Sequence, residues 1–155
     1  MAGRIVETLQ RAKALSVRDW RYLGIAVWEL FLARIRHATE PIGTILRELK
    51  SERPPCQSGK ATEVDMMRLS WALDAAATLV PWRSDCLIKV MAADSWLRRY
   101  GLTPEFFLGV TKDSMGTFGA HAWLRCDDVN VTGGRTDEFT PIMKSSSPQN
   151  VDLLK

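Results

Sequence analysis

Two residues in this chain have the type and the placement to do covalent chemistry, Cys86 and His121. Cys86 follows Pro81-Trp82-Arg83-Ser84-Asp85, which reads as a loop, and it opens a stretch of helical periodicity. A cysteine in the first turn of a helix feels the positive end of the helix dipole and the orphan backbone N–H groups. Both favour thiolate over thiol. Ser84 or Asp85 is placed to cap that helix. His121 lies in Gly119-Ala120-His121-Ala122-Trp123, which reads as a strand. If this strand folds back against the helix start, His121 can meet Cys86 and form a thiolate–imidazolium pair able to attack a carbonyl. The backbone N–H of Cys86 would then be an oxyanion donor that needs no side chain.

A base of this kind is usually held by a third group. Strand alternation puts His121, Trp123 and Arg125 on one face and Ala120, Ala122, Leu124 and Cys126 on the other. A hairpin centred on Asp127-Asp128 places Thr132 to Gly134 opposite His121, and no carboxylate is there. Asp127 and Asp128 lie at the far hairpin end, several residues away at about 3.3 Å each. Asp137, beyond the Gly133-Gly134 bend, could fold back, as could the Thr132 side chain or a backbone carbonyl. Asp137 is carried as the candidate third member beside Cys86 and His121.

The elements that must position these groups follow from periodicity. Arg4 to Leu15 reads as a short helix. Ser16, with Asp19 three residues on, opens another that runs to about Thr39. One of its faces carries Trp20, Leu23, Val27, Leu30, Phe31 and Arg34, and a second apolar stripe carries Ile25, Trp28, Leu32 and Ile35. A helix apolar on two sides is either deeply buried or half-covered by a partner. Glu40-Pro41 ends it, and Ile42 to Lys50 forms a short helix with Ile42, Ile45, Leu46 and Leu49 inward. Ser51 to Thr62, with Pro54-Pro55 and Gly59, is a loop in which Cys56 is an incidental thiol. Glu63 to Val80 is a helix with Met66, Leu69, Leu73 and Ala76 inward. Cys86 to Tyr100 follows, with Gly101 as its C-terminal cap. His37, at a helix end among charges, reads as a solvated dipole partner.

The period then changes from helical to strand-like. Glu105 to Lys112 and Thr117 to Cys126 are strands separated by the turn Asp113-Ser114-Met115-Gly116. Val129 to Thr132 returns as a third, and Phe139 to Met143 is a short last one. Three parts result: a helical N-terminal part over 1–62, a core over 63–144 and a polar tail over 145–155.

Composition sets the frame. At 155 residues, 46% hydrophobic and 25% charged, the chain fits one domain with a real core. A net charge of +3 is too small to argue for nucleic acid. Three cysteines with no CxxC spacing disfavour a disulfide framework or a zinc site and suit a reducing compartment. The N-terminus has no secretory hydrophobic region. The most apolar run, Tyr22 to Ile35, is interrupted by charge and falls short of the roughly 20 residues of a membrane span. The expectation is a cytoplasmic protein without a membrane span.

One resemblance adds to this reading. Leu79-Val80-Pro81-Trp82-Arg83 leads to Cys86-Leu87, then come Trp96-Leu97-Arg98-Arg99-Tyr100-Gly101-Leu102, Phe107-Leu108-Gly109-Val110 and Ala120-His121-Ala122-Trp123-Leu124. In this order and spacing the chain resembles the transglutaminase-like (papain-superfamily) core and, more closely, the lasso peptide biosynthesis B2 proteins, which are leader peptidases. The match runs from about Val64 to Ile142, more loosely through the helical part before it. The resemblance implies an α+β fold, a Cys-bearing helix packed on a small antiparallel sheet. It implies a cysteine protease whose substrate is the leader–core junction of a lasso precursor peptide. It also implies two companions, a separate leader-recognition protein, since no such module is visible ahead of Arg4, and an ATP-dependent macrolactam synthetase. With no phosphate loop or metal cluster visible, no cofactor or metal is expected on this chain, and any ATP dependence belongs to the synthetase. The family generally places an Asp on the strand after the His, and this sequence departs from that pattern. Two other readings stay open: a non-catalytic peptide- or nucleic-acid-binding module built on the Trp-bearing helical half, and acyl transfer to an amine as in true transglutaminases.

Overall fold

The computed structural model describes residues 15–51, 63–112, 117–126 and 129–145. Along them run four helices and then four strands: α1 (Val17–Thr39), α2 (Ile42–Lys50), α3 (Glu63–Leu79), α4 (Cys86–Arg99), β1 (Glu105–Lys112), β2 (Phe118–Cys126), β3 (Val129–Thr132) and β4 (Thr140–Lys144). This is the expected α+β architecture, with the helix that opens on Cys86 packed on the sheet. The expected first helix, the loop with Cys56, the turns at 113–116 and 127–128 and the tail beyond Ser145 lie outside the described residues.

Helix α1 begins where the sequence signals it. The Ser16 hydroxyl accepts from the Asp19 amide, and the Asp19 carboxylate accepts from the Ser16 amide at 2.9 Å, a reciprocal capping box. The Ser16 hydroxyl also donates to the Asp19 carboxylate at 2.7 Å, and this bond, followed by the one from the Ser16 amide, holds the Asp19 carboxyl below its usual range. The stabilisation is therefore present above the ordinary carboxylate pKa and is lost as pH falls through the lowered one. Asp19 also pairs with Arg68 of α3 at 3.1 Å. At the other end, Arg36 bridges Glu40 and Glu48, fixing the turn into α2. In α2, Ile45 and Leu49 are buried, but Ile42 is exposed.

The inner arc of α1 is centred on Ala26 and carries Tyr22, Leu23, Leu30 and Ala33. Trp20, Val27, Trp28, Phe31 and Ile35 share the outer side and are exposed. The two stripes read from the sequence thus divide differently. Leu23 and Leu30 go inward while Trp20, Val27 and Phe31 stay out, because the small Ala26 and Ala33 let α3 and α4 approach on their side only. Glu29 is carried inward too, at 1% exposure, facing the Arg99 guanidinium as an ion pair.

Helix α4 is enclosed by its neighbours, with Ile88, Val90, Met91, Ala92, Ala93, Trp96 and Leu97 all buried. Trp96 meets Tyr22 of α1 with ring centroids 5.5 Å apart, and Lys89 pairs with Asp74 of α3 at 2.8 Å. Its C-terminus closes as a Schellman motif: Gly101, at φ 75°, donates to Arg98 and Leu102 donates to Leu97. Only glycine adopts that backbone without strain, so the helix stops there and the chain turns into β1.

The sheet is antiparallel, in the order β3-β2-β1-β4. Phe106, Ala122, Leu124, Cys126 and Val131 face the helices and join their core, and the opposite face carries Phe107, His121 and Trp123. Strand β4 lies on the outer edge, with Pro141 paired to Gly109. Ser145, read from the sequence as the start of the tail, is buried, its amide donating to Phe106 O and its hydroxyl accepting from Phe106 N, each at 2.9 Å.

This assignment of faces predicts that Leu30→Ala costs about 2–5 kcal/mol of stability by opening a cavity. Trp28→Ala, on the outer side, should change it by less than about 0.5 kcal/mol. Urea denaturation of the two variants checks both values.

Candidate active site

Cys86 is the first residue of α4, half-buried at the margin of the core. Its N-cap is Asp85, in extended conformation, but the Asp85 side chain makes no capping hydrogen bond. The expectation that Ser84 or Asp85 caps this helix through its side chain is therefore not met. The Ser84 hydroxyl is buried without a partner among the described residues. No side-chain cap takes up the first-turn N–H groups beside the Cys86 thiol, and they keep their donor capacity. The preceding loop is held by Trp82, whose ring packs on Phe31 of α1 at 5.9 Å, and Phe31 packs in turn on Trp28 at 5.9 Å.

His121 lies on β2, half-buried, on the face away from Ala122 and Leu124. Its Nε2 is 2.9 Å from the carbonyl oxygen of Gly133. Phe139 lies 4.8 Å from the ring and Trp123 6.0 Å from it. Trp123 itself is buried and stacks on Phe107, with centroids 5.5 Å apart and planes within 4°. This second, outer cluster depends on a close approach at Gly109, which pairs with His121 across the strands. A Cβ there would lie 2.8 Å from the Trp123 ring and 3.1 Å from Phe139 Cβ. A glycine inside a strand signals such an approach, and it is the sequence signal by which this cluster could have been found. Phe139 carried no comparable signal.

Asp137 is exposed in the turn closed by the Phe139 amide donating to Thr136 O at 3.1 Å, and the hydrogen bond found on His121 goes to Gly133 instead. The Thr132 hydroxyl accepts from Leu124 N at 3.1 Å. The register explains both. Leu124 pairs with Thr132 rather than Val131, because a bulge between Leu124 and Arg125 takes up one residue of β3. Among the described residues no hydrogen bond joins Cys86 to His121, which lies on the sheet face turned away from α4, and no group of His, Cys, Asp and Glu gathers in a way that could hold a metal ion.

A family model described as the transglutaminase-like superfamily matches residues 29–144. That span covers most of the chain, from the middle of α1 through β4, and the chain belongs to this superfamily. The superfamily includes cysteine peptidases and acyltransferases. No curated protein and no solved structure matches the chain.

The difference in burial between the two described cysteines gives a simple check. In the native protein Cys86 should react with iodoacetamide, while Cys126, at 3% exposure, should be protected until the protein unfolds. Peptide mass mapping of briefly alkylated protein reads both.

Proposed function

We propose that this protein is a cysteine peptidase that removes the leader from a lasso precursor peptide in the cytoplasm. The observation that carries the reading is Cys86 as the first residue of α4, at a helix N-terminus without a side-chain cap, in a chain of the transglutaminase-like superfamily. The Cys86 thiolate attacks the carbonyl at the leader–core junction, and His121 takes the thiol proton. The first-turn amides receive the developing oxyanion. His121 then returns the proton to the departing amine of the core peptide, and water releases the leader from the acyl-enzyme.

The choice of substrate rests on the motifs from Leu79 to Leu124, as does the choice of partners. A separate leader-recognition protein would deliver the junction, and the macrolactam synthetase, which uses ATP, would take the released core. Delivery raises the effective concentration of the junction at Cys86. The exposed outer side of α1, within the helical N-terminal part, is the surface offered for this docking.

The reading is tested by incubating a lasso precursor peptide with the protein and a leader-recognition protein and following the products by mass. Cys86→Ala should fold and abolish cleavage, whereas Cys56→Ala and Cys126→Ala should retain it. His121→Ala should lower turnover by roughly two to four orders of magnitude, the range for a positioned base. Cleavage by Cys86→Ala at the wild-type rate overturns the mechanism. A leader recovered as an amine adduct, rather than as a free carboxylate, assigns acyl transfer instead of hydrolysis.

A further inference from the structure

We infer that the backbone carbonyl of Gly133 is the positioning group of His121, standing where a carboxylate would otherwise orient the ring. The inference rests on the reading of Cys86 and His121 as nucleophile and base. Nε2 lies 2.9 Å from this carbonyl oxygen. A carbonyl only accepts, so Nε2 carries the proton, and the basic nitrogen of the neutral imidazole is Nδ1. Phe139 and Trp123 flank the ring and limit its rotation.

The chain is built to bring this carbonyl to the ring. The bulge in the β2–β3 ladder moves β3 along by one residue, so Thr132 falls opposite Leu124 and Gly133 comes against Trp123. Gly133 has φ 99°, a left-handed conformation that turns its peptide plane and that other residues rarely adopt. Space imposes the same choice. A Cβ at 133 would lie 2.4 Å from Trp123 Cβ and 3.1 Å from His121 Nε2. Any side chain here forces the backbone away from the imidazole it holds. The other two options for the third role are placed otherwise, Thr132 by its bond to Leu124 and Asp137 exposed in the turn before Phe139.

A neutral acceptor fixes the tautomer as a carboxylate does, but it brings no negative charge to the imidazolium. In the proposed reaction Nδ1 is the nitrogen that takes a proton, and the Nε2–H bond to Gly133 is kept through that step, so the ring keeps its orientation. His121 therefore works as a base whose only hydrogen-bonded orienting group among the described residues is a main-chain carbonyl.

The tautomer is directly measurable. The full chain has two histidines, so two-bond 1H–15N correlation spectra of histidine-labelled protein, assigned with His121→Ala, report His121 separately from His37. The expected pattern for neutral His121 is a single Nε2–H tautomer, unchanged in Asp137→Asn. Gly133→Ala should mix the tautomers and slow iodoacetamide alkylation of Cys86 by about tenfold or more, part of what a positioned base contributes. Gly134→Ala is the control, since Gly134 shares a positive φ of 57° but has nothing within 4 Å of an added Cβ. It should keep both the tautomer and the alkylation rate. An Nδ1–H tautomer in the wild type overturns the inference whether or not Gly133→Ala folds, and so does a tautomer change in Asp137→Asn. Either result leaves the functional reading standing if Cys86→Ala and His121→Ala abolish cleavage. Conversely, an Nε2–H tautomer with unimpaired cleavage by Cys86→Ala overturns the peptidase reading and leaves Gly133 only as the hydrogen-bond acceptor of the His121 ring.

Discussion

Helix α4 has almost no free side, and most of the molecule follows from that. Its apolar residues are covered by α1 and α3 on one side and by Ala122, Leu124 and Phe106 of the sheet on the other. Burying a helix from both sides needs small residues where the neighbours come closest, and Ala92 and Ala93 supply them at full burial. The helix cannot slide or rotate without opening voids in a close-packed interior. Polar ties add to the apolar ones. Lys89 reaches Asp74 at 2.8 Å, and Arg99 meets the Glu29 carboxylate, which would otherwise be a buried charge without compensation. Both ends of α4 reach the surface: Cys86 is half-buried at its start, and Arg98 and Arg99 are exposed at its end.

The same economy governs β2. Three consecutive residues, Ala122, Trp123 and Leu124, are buried, so at this point both faces of the strand are covered. The helices cover one face, and Phe107, Phe139 and the Gly133 bend cover the other. His121 is one step along from this doubly covered stretch. Its backbone is fixed by the sheet, and its ring is fixed by the aromatic cluster and one hydrogen bond.

What could be read from the sequence divides along physical lines. The capping box at Ser16 and Asp19, the helix stop at Gly101 and the change from helical to alternating period after it are local signals, and all appear where the residues place them. Alternation also gave the correct faces of β2, because period two is a geometric property of any strand. Two things were not local. The division of α1 into inner and outer sides depended on what packs across it, since both stripes are apolar and a charged residue, Glu29, went inward. The register of β3 depended on a bulge that no residue type announces, and one residue of slip decides which group faces His121. The partner of the imidazole was therefore open in the sequence, with a backbone carbonyl as one of three options.

Pro141 has a consequence for assembly. A sheet of four strands has two edges, and each edge presents backbone groups to any extended chain nearby. Strand β3 limits its own edge by being four residues long. On the β4 edge an arriving strand finds no amide at Pro141. Main-chain pairing at this edge, with an extended segment or with a second copy, is interrupted at that residue.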